Sequence, residues 1–297
     1  MDSVLATPNA ALRQTKRSSH LRGCEKVALA YFIYLPCLGL IRRPSIGPVL
    51  LLAAVPLALW AIWQAQSRSV RRPVEIVRDW WPLGLILAGY WALEWFAAPP
   101  REALQIELVR VDRVFLYDAH LQALIEAGGA CVPAILATVY LLLYVVPPAC
   151  LGILYACRAR SQVPRFLLLT FAGTFAAYAL LPFVPVISPR LAFPGADLPH
   201  YSGISRRFTI WLLDRLDIST GVLPSGHVAV ALSSALGMFA ALPSRPIFGW
   251  CALGLTALVY LATIYWRYHY AVDGLISLVV VCTVCRIVSR TYRALDI

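Results

Sequence analysis

The chain has 297 residues, 60% of them hydrophobic and only 14% charged, with a formal net charge of +11 and a mean hydropathy of +0.71. A water-soluble domain carries about a quarter charged residues, so this composition excludes a soluble globular protein. The positive charge sits in short arginine clusters between apolar blocks, a placement that orients membrane helices and argues against nucleic acid as the partner.

In chain order, residues 1–26 form a basic tail with Arg13, Lys16, Arg17, Arg22 and Lys26. Apolar blocks follow at 27–41, 48–64, 80–97, 131–157, 166–187, 226–242, 247–266 and 270–288. A membrane span needs about 20 residues, so these blocks predict up to eight spans, the first being short and broken by Pro36. The stretch after it, 42–47, offers no small-residue cleavage site, which favours a retained anchor over a removed signal peptide. The segments 65–79, 158–165, 243–246 and 289–297 are rich in arginine, whereas 98–130 carries Glu102, Glu107, Asp112, Asp118 and Glu126. An excess of arginine marks the cytoplasmic side, so both termini are expected inside. Segment 101–126 places Leu104, Leu108, Val111, Phe115 and Leu116 on a helical rhythm and predicts an amphipathic helix on the outer surface. Cys37, Cys131, Cys150, Cys251, Cys282 and Cys285 lie inside apolar blocks, where cysteine packs as a small hydrophobe, and no disulfide is expected.

Under this topology three polar clusters share the outer face: Ser188-Pro189-Arg190, Pro224-Ser225-Gly226-His227, and Arg267-Tyr268-His269 with Asp273 four residues on. Proline and serine suit a helix start, and the free N–H groups of that start bind phosphate. Gly226 lets an anion approach the backbone, and His227 stands beside it as a proton donor. The i, i+4 spacing of His269 and Asp273 puts both on one helical face. A carboxylate there can hold one imidazole nitrogen and free the other as nucleophile or base. A metal site built from His227, His269 and Asp273 is the rival chemistry, but no compact ligand motif supports it.

Pro-Ser-Gly-His followed some forty residues later by His-x3-Asp resembles the type-2 phosphatidic acid phosphatase superfamily, over roughly residues 80–290. The resemblance implies an all-α polytopic membrane fold. Its six-helix core would lie at 80–290, with an added N-terminal helix pair at 27–79 and tails at 1–26 and 291–297. It also implies that His269 becomes phosphorylated, Asp273 orients it, His227 protonates the leaving oxygen, and Ser225 and Gly226 bind phosphate. No metal or organic cofactor is implied. Two positions depart from the superfamily pattern: Phe183 stands where the first motif has lysine, and Ala262-Thr263 where the third has Ser-Arg. Bare Ser-Pro-Arg with a Tyr-His-Tyr context is similar to the inositol phosphorylceramide synthase-like branch. Arg190 would then serve as the first-motif arginine, and Arg267 would replace the missing one. The expected activity is hydrolysis or head-group transfer on a lipid phosphate, with water or an alcohol as acceptor. A membrane scaffold or transporter that keeps only the fold is the rival class, and it has no use for His227, His269 and Asp273 together.

Overall fold

The computed structural model describes residues 21–42, 46–67, 72–195 and 198–294. Most of the basic tail, Arg68 and Arg71 of the 65–79 segment, and the last three residues lie outside them. Among the described residues the regular structure is helical, with no strand. The helices are α1 (Gly23–Arg42), α2 (Ile46–Ser67), α3 (Arg72–Trp80), α4 (Leu83–Trp91), α5 (Glu102–Arg113), α6 (Leu121–Ala127) and α7 (Cys131–Leu142). They continue with α8 (Val146–Ala156), α9 (Val163–Leu180), α10 (Pro189–Ala192), α11 (Ile204–Leu216), α12 (Gly226–Ala241), α13 (Ile247–Tyr265) and α14 (Ala271–Ala294).

Five of these stretches are long and apolar enough to cross a membrane: Gly23–Ile41, Cys131–Ala156, Arg160–Phe183, Ile247–Tyr265 and Ala271–Thr291. The protein is an all-α polytopic membrane protein. Three of the eight expected blocks differ from full spans. Pro82, which has no N–H to donate, interrupts the block 80–97 and leaves α4 with nine residues. α12 has sixteen residues, about 24 Å of rise. In the second block, the apolar stretch that qualifies as a shorter helix is Leu52–Gln64.

The centre of the bundle is the packing of α9 against α12 and α14. Gly173 on α9 permits it, because a Cβ there would stand 2.8 Å from the Ser233 Cβ of α12 and 3.0 Å from Val281 of α14. Beside it the Thr174 and Ser233 hydroxyls share a hydrogen bond of 3.0 Å, so close approach is combined with satisfied polar groups. α1 packs on the outer side of α9, where Tyr31 stacks on Phe175 at 4.4 Å between ring centroids, and α2 packs on α1. Between α7 and α8 the Leu143–Val145 turn tightens, and Pro147 and Pro148 open α8. This proline-directed bend opens the space beside His227 described below.

The expected surface helix at 101–126 is present in two pieces. α5 runs into a π-helical turn at Val114–Asp118, and His120 (φ 55°) starts α6 in a new direction. α5 is tied to the bundle by Gln105, whose side-chain oxygen accepts the Ile187 amide at 2.8 Å.

The chain alternates direction through α9, α12, α13 and α14. The end of α9, the start of α12 and the turn between α13 and α14 therefore meet at one end of the bundle.

Candidate active site

α12 begins as its sequence dictates. Ser225 is the N-cap, its Oγ accepting the Val228 amide at 3.3 Å. Gly226 lies against the Tyr178 ring, where a Cβ would come within 2.9 Å of Cε1. The Ser225 amide donates to the Asp273 carbonyl at 3.1 Å, and the Ser277 hydroxyl bridges the Ser225 and Asp273 carbonyls at 2.9 Å each. These bonds lock the start of α12 to the first turns of α14.

His269 is presented by the turn that closes α13. The Thr263 carbonyl accepts the amides of both Tyr268 and His269, at 2.9 and 3.1 Å. Asp273 holds the start of α14 by accepting the Tyr270 amide on Oδ2 at 2.9 Å, one half of a capping box. The same Oδ2 lies 3.3 Å from His269 Nδ1, so one carboxylate both caps the helix and faces the imidazole. A second acceptor is nearer: the Val222 carbonyl, at 3.0 Å from the same nitrogen.

The two histidines face each other, His227 Nδ1 standing 3.0 Å from His269 Nε2. On the far side of His227, Nε2 lies 2.7 Å from the Tyr140 hydroxyl. Chemistry fixes the protons along this row. A carbonyl only accepts, so His269 Nδ1 carries the hydrogen, and in the neutral ring Nε2 is bare. His227 must then donate from Nδ1 and accept on Nε2, which leaves Tyr140 as the donor. The row runs Tyr140 to His227 to His269 to Val222 and Asp273, with His269 Nε2 as the acceptor of the His227 hydrogen.

The arginines are arranged less simply. Arg190 sits at the edge of the site with its guanidinium 3.5 Å from Asp214 and 3.7 Å from Asp217, and its amide donates to the Arg267 carbonyl at 3.0 Å. Arg267 is buried and left-handed (φ 61°), a conformation that costs a non-glycine residue about 1–2 kcal/mol. Its guanidinium donates to Asp112 Oδ2 at 2.6 Å, and the other Asp112 oxygen accepts the Ala271 amide at 2.7 Å. Burial pushes the Asp112 carboxyl up to about 6, against the opposing pull of the Ala271 amide and Arg267. Arg267 is thus committed to an ion pair that sequence reasoning did not foresee. Five polar atoms around this end are buried without a partner: Ser188 Oγ, Arg190 Nε, Trp266 Nε1, Arg267 Nε and Asp273 Oδ1.

The sequence model of the PAP2 superfamily matches residues 106–287, more than half of the chain. The chain belongs to the PAP2 superfamily. The three motif segments and the whole histidine row fall inside the matched range. A PA-phosphatase related-family protein of Dictyostelium discoideum is 31% identical over 124 residues, which is 40% of this chain and 22% of that protein. The chain therefore spans well under two thirds of the relative it matches. No solved structure matches it.

Two further charged residues make contacts near this end of the PAP2 protein. Arg206 is buried over the Trp266 ring at 4.3 Å and bonds the Tyr268 hydroxyl. Burial and the neighbouring Arg190 pull its guanidinium down to about 10. Glu94 accepts both the amide and the hydroxyl of Ser219, at 2.6 and 3.0 Å. Among the described residues no group of His, Cys, Asp or Glu side chains is arranged to hold a metal ion. Sequence reasoning missed Tyr140, Val222 and Asp112.

Proposed function

We propose that this PAP2 protein transfers phosphoryl groups from a lipid phosphate through a phosphohistidine on His269. The observation that carries the reading is the facing pair of imidazoles, with the bare Nε2 of His269 backed by Val222 and Asp273. Substrate would enter between the rings and replace their mutual hydrogen bond. His269 Nε2 then attacks phosphorus, the bond to the leaving oxygen breaks, and His227 Nδ1–H supplies the proton to that oxygen. In the second half, water or an alcohol attacks the phosphohistidine and gives its proton to His227. Asp273 steadies the positive charge that phosphorylation puts on the His269 ring. Arg190 would hold phosphoryl oxygens through its guanidinium, Gly226 through its amide, and Ser225 through its hydroxyl hydrogen, because the Ser225 amide is engaged by the Asp273 carbonyl. Arg267 would reach the phosphate only with the guanidinium atoms that its Asp112 pair leaves over, and its first duty is to hold the turn that bears His269.

A lipid as the phosphate carrier is supported by a cavity of about 240 Å³ that opens beside His227 and Gly226. Its walls are Ile86, Leu87 and Tyr90 of α4, Tyr144 and Pro147 at the α7–α8 bend, and Tyr178 of α9. An apolar channel leading to a polar reaction centre suits a hydrocarbon tail bearing a phosphate head. The Ser-Pro-Arg and Tyr-His-Tyr contexts favour the inositol phosphorylceramide synthase-like branch, and the loop charges favour an active site on the extracytoplasmic or lumenal face.

The test is to incubate purified protein with a panel of lipid phosphates, with and without alcohol acceptors. Free phosphate reports hydrolysis and a new phosphodiester reports transfer. Loss of neither substrate nor label, across the panel, would leave the scaffold reading in its place. For the membrane face, thiol labelling of single cysteines in intact vesicles should reach 98–130 and 188–223 and spare 65–79 and 158–165. The reverse pattern would place the site on the cytoplasmic side.

A further inference from the structure

A buried neutral histidine has a difficulty as a general acid. It owns one proton, and giving that proton away would leave an imidazolate unless the other nitrogen gains one at the same moment. In this protein the other nitrogen, His227 Nε2, faces the Tyr140 hydroxyl at 2.7 Å. The two rings also stack, 4.8 Å between centroids and 27° between planes, and Tyr140 is held from behind by Tyr268 at 4.5 Å. Tyr140 is fully buried on α7, in a cluster with Leu136, Leu213 and Trp266, so its hydroxyl cannot turn to water for a partner.

The hydrogen-bond geometry of the row fits two neutral imidazoles. With neutral rings, every hydrogen on the row has an acceptor, ending at Val222 and Asp273. Adding one proton to either ring makes His227 Nε2 a donor to Tyr140, and the Tyr140 hydrogen then has no acceptor among the described residues. The row therefore holds its spare proton on tyrosine, not on histidine.

We propose that Tyr140 is a positioning and proton-relay residue for the reaction read above, and the proposal rests on that reading of His227. As the phosphorus–oxygen bond breaks, the Nδ1 hydrogen of His227 moves to the leaving oxygen and the Tyr140 hydroxyl hydrogen moves to Nε2. His227 stays neutral throughout, and the negative charge of the departing alkoxide ends on the phenolate. An alkoxide is by far the stronger base, so the shift runs downhill. Arg190 and Arg206 lie 5.8 and 5.0 Å over the Tyr268 ring that backs Tyr140, close enough to favour negative charge there. When water or an alcohol attacks the phosphohistidine, its proton goes to Nδ1 and the Nε2 hydrogen returns to Tyr140.

Tyr140→Phe keeps the ring, the stacking and the cavity wall, and removes only the hydroxyl. The variant should slow alkyl phosphate cleavage about 100-fold, the scale of general-acid assistance, with KM little changed. Nitrophenyl phosphate, whose leaving group departs without a proton, should lose less than about threefold. The solvent isotope effect on the alkyl ester should change from a two-proton to a one-proton dependence on deuterium content. His227→Ala should show the same discrimination between esters, and adding Tyr140→Phe to it should cost nothing more. Equal losses on both esters in Tyr140→Phe would make the residue merely structural and overturn the relay. Wild-type behaviour of Tyr140→Phe beside a discriminating His227→Ala would overturn the relay and leave the acid in place. If His227→Ala itself failed to discriminate, the reading of His227 as the acid would fall, and the relay with it.

Discussion

Two buried polar clusters occupy opposite ends of the bundle, and they are built on opposite principles. At the end remote from the histidines, α1, α3 and the α8–α9 connection are joined by a closed set of ion pairs. Glu25 takes Arg78 through both oxygens at 2.6 and 2.7 Å and also accepts the Arg22 amide at 2.7 Å. Asp79, only 1% exposed, accepts from Arg22, Tyr155 and Arg160 at 2.6, 2.7 and 2.8 Å. Glu75 takes the remaining reach of Arg160 at 3.0 Å. Every carboxylate there is matched. At the motif end, Ser188, Arg190, Arg267 and Asp273 each keep a buried atom without a partner, and the hydrogen bond between the two imidazoles is one that an entering phosphate could replace. A satisfied cluster holds helices together; a cluster with donors left over, next to an apolar cavity, is suited to receive an anion.

Substitutions should separate the two ends. The largest effect is expected from His269→Ala, which removes the proposed nucleophile. Turnover should fall by at least about a thousandfold, while thermal unfolding moves little. A variant that kept measurable turnover through the same kinetics would shift the chemistry elsewhere. Asp79→Ala should do the converse. Removing one partner of a buried ionic set costs about 3–5 kcal/mol, so its melting temperature should drop by several degrees, and the fraction that remains folded should keep normal specific activity. Equal damage to activity and stability would mean that the two ends are coupled and that the contrast drawn above is wrong.

Smaller effects sharpen the contrast. Arg190→Ala should lower the rate about 10- to 100-fold, the worth of one charge-assisted hydrogen bond, and Arg190→Lys should recover only part, because a point charge cannot reproduce a planar fork. Neither should alter unfolding, since the Asp214 and Asp217 contacts are long and Asp214 is largely exposed. Smallest of all, Glu94→Gln should cost at most about 1 kcal/mol of stability and leave catalysis intact, because the Ser219 clasp it weakens lies at the surface. Rate loss in Glu94→Gln would instead give that loop a part in substrate binding.

What could be read from the sequence follows the range of the interactions. Ser225 to Val228 and His269 to Asp273 are separated by three and four residues, so a motif carries their geometry. The superfamily resemblance and the all-α membrane fold follow from such local patterns and from apolar block length. The rest lies in contacts between distant segments. Tyr140 and His227 are 87 residues apart, Asp112 and Arg267 155, and Asp79 and Arg160 81. In isolation Tyr140 is one more aromatic in an apolar run, and Asp112 one more acid on a surface helix. Arg206 reads as a loop cation until its stacking over Trp266 is seen. The breaks at Trp81-Pro82 and His120 escaped for a different reason: hydropathy fixes where an apolar block lies, not whether one helix runs through it.

The account's central claim is that phosphate becomes bonded to His269. It is tested most directly by mixing the detergent-solubilised enzyme with a lipid phosphate labelled in the phosphoryl group, quenching within milliseconds in alkali, and mapping the label by peptide mass spectrometry. Alkali is required because the nitrogen–phosphorus bond is acid-labile. The label should appear on the peptide bearing His269, turn over when an acceptor is added, and be absent from His269→Ala. Label on another residue, or turnover with no labelled protein at any time, would contradict it.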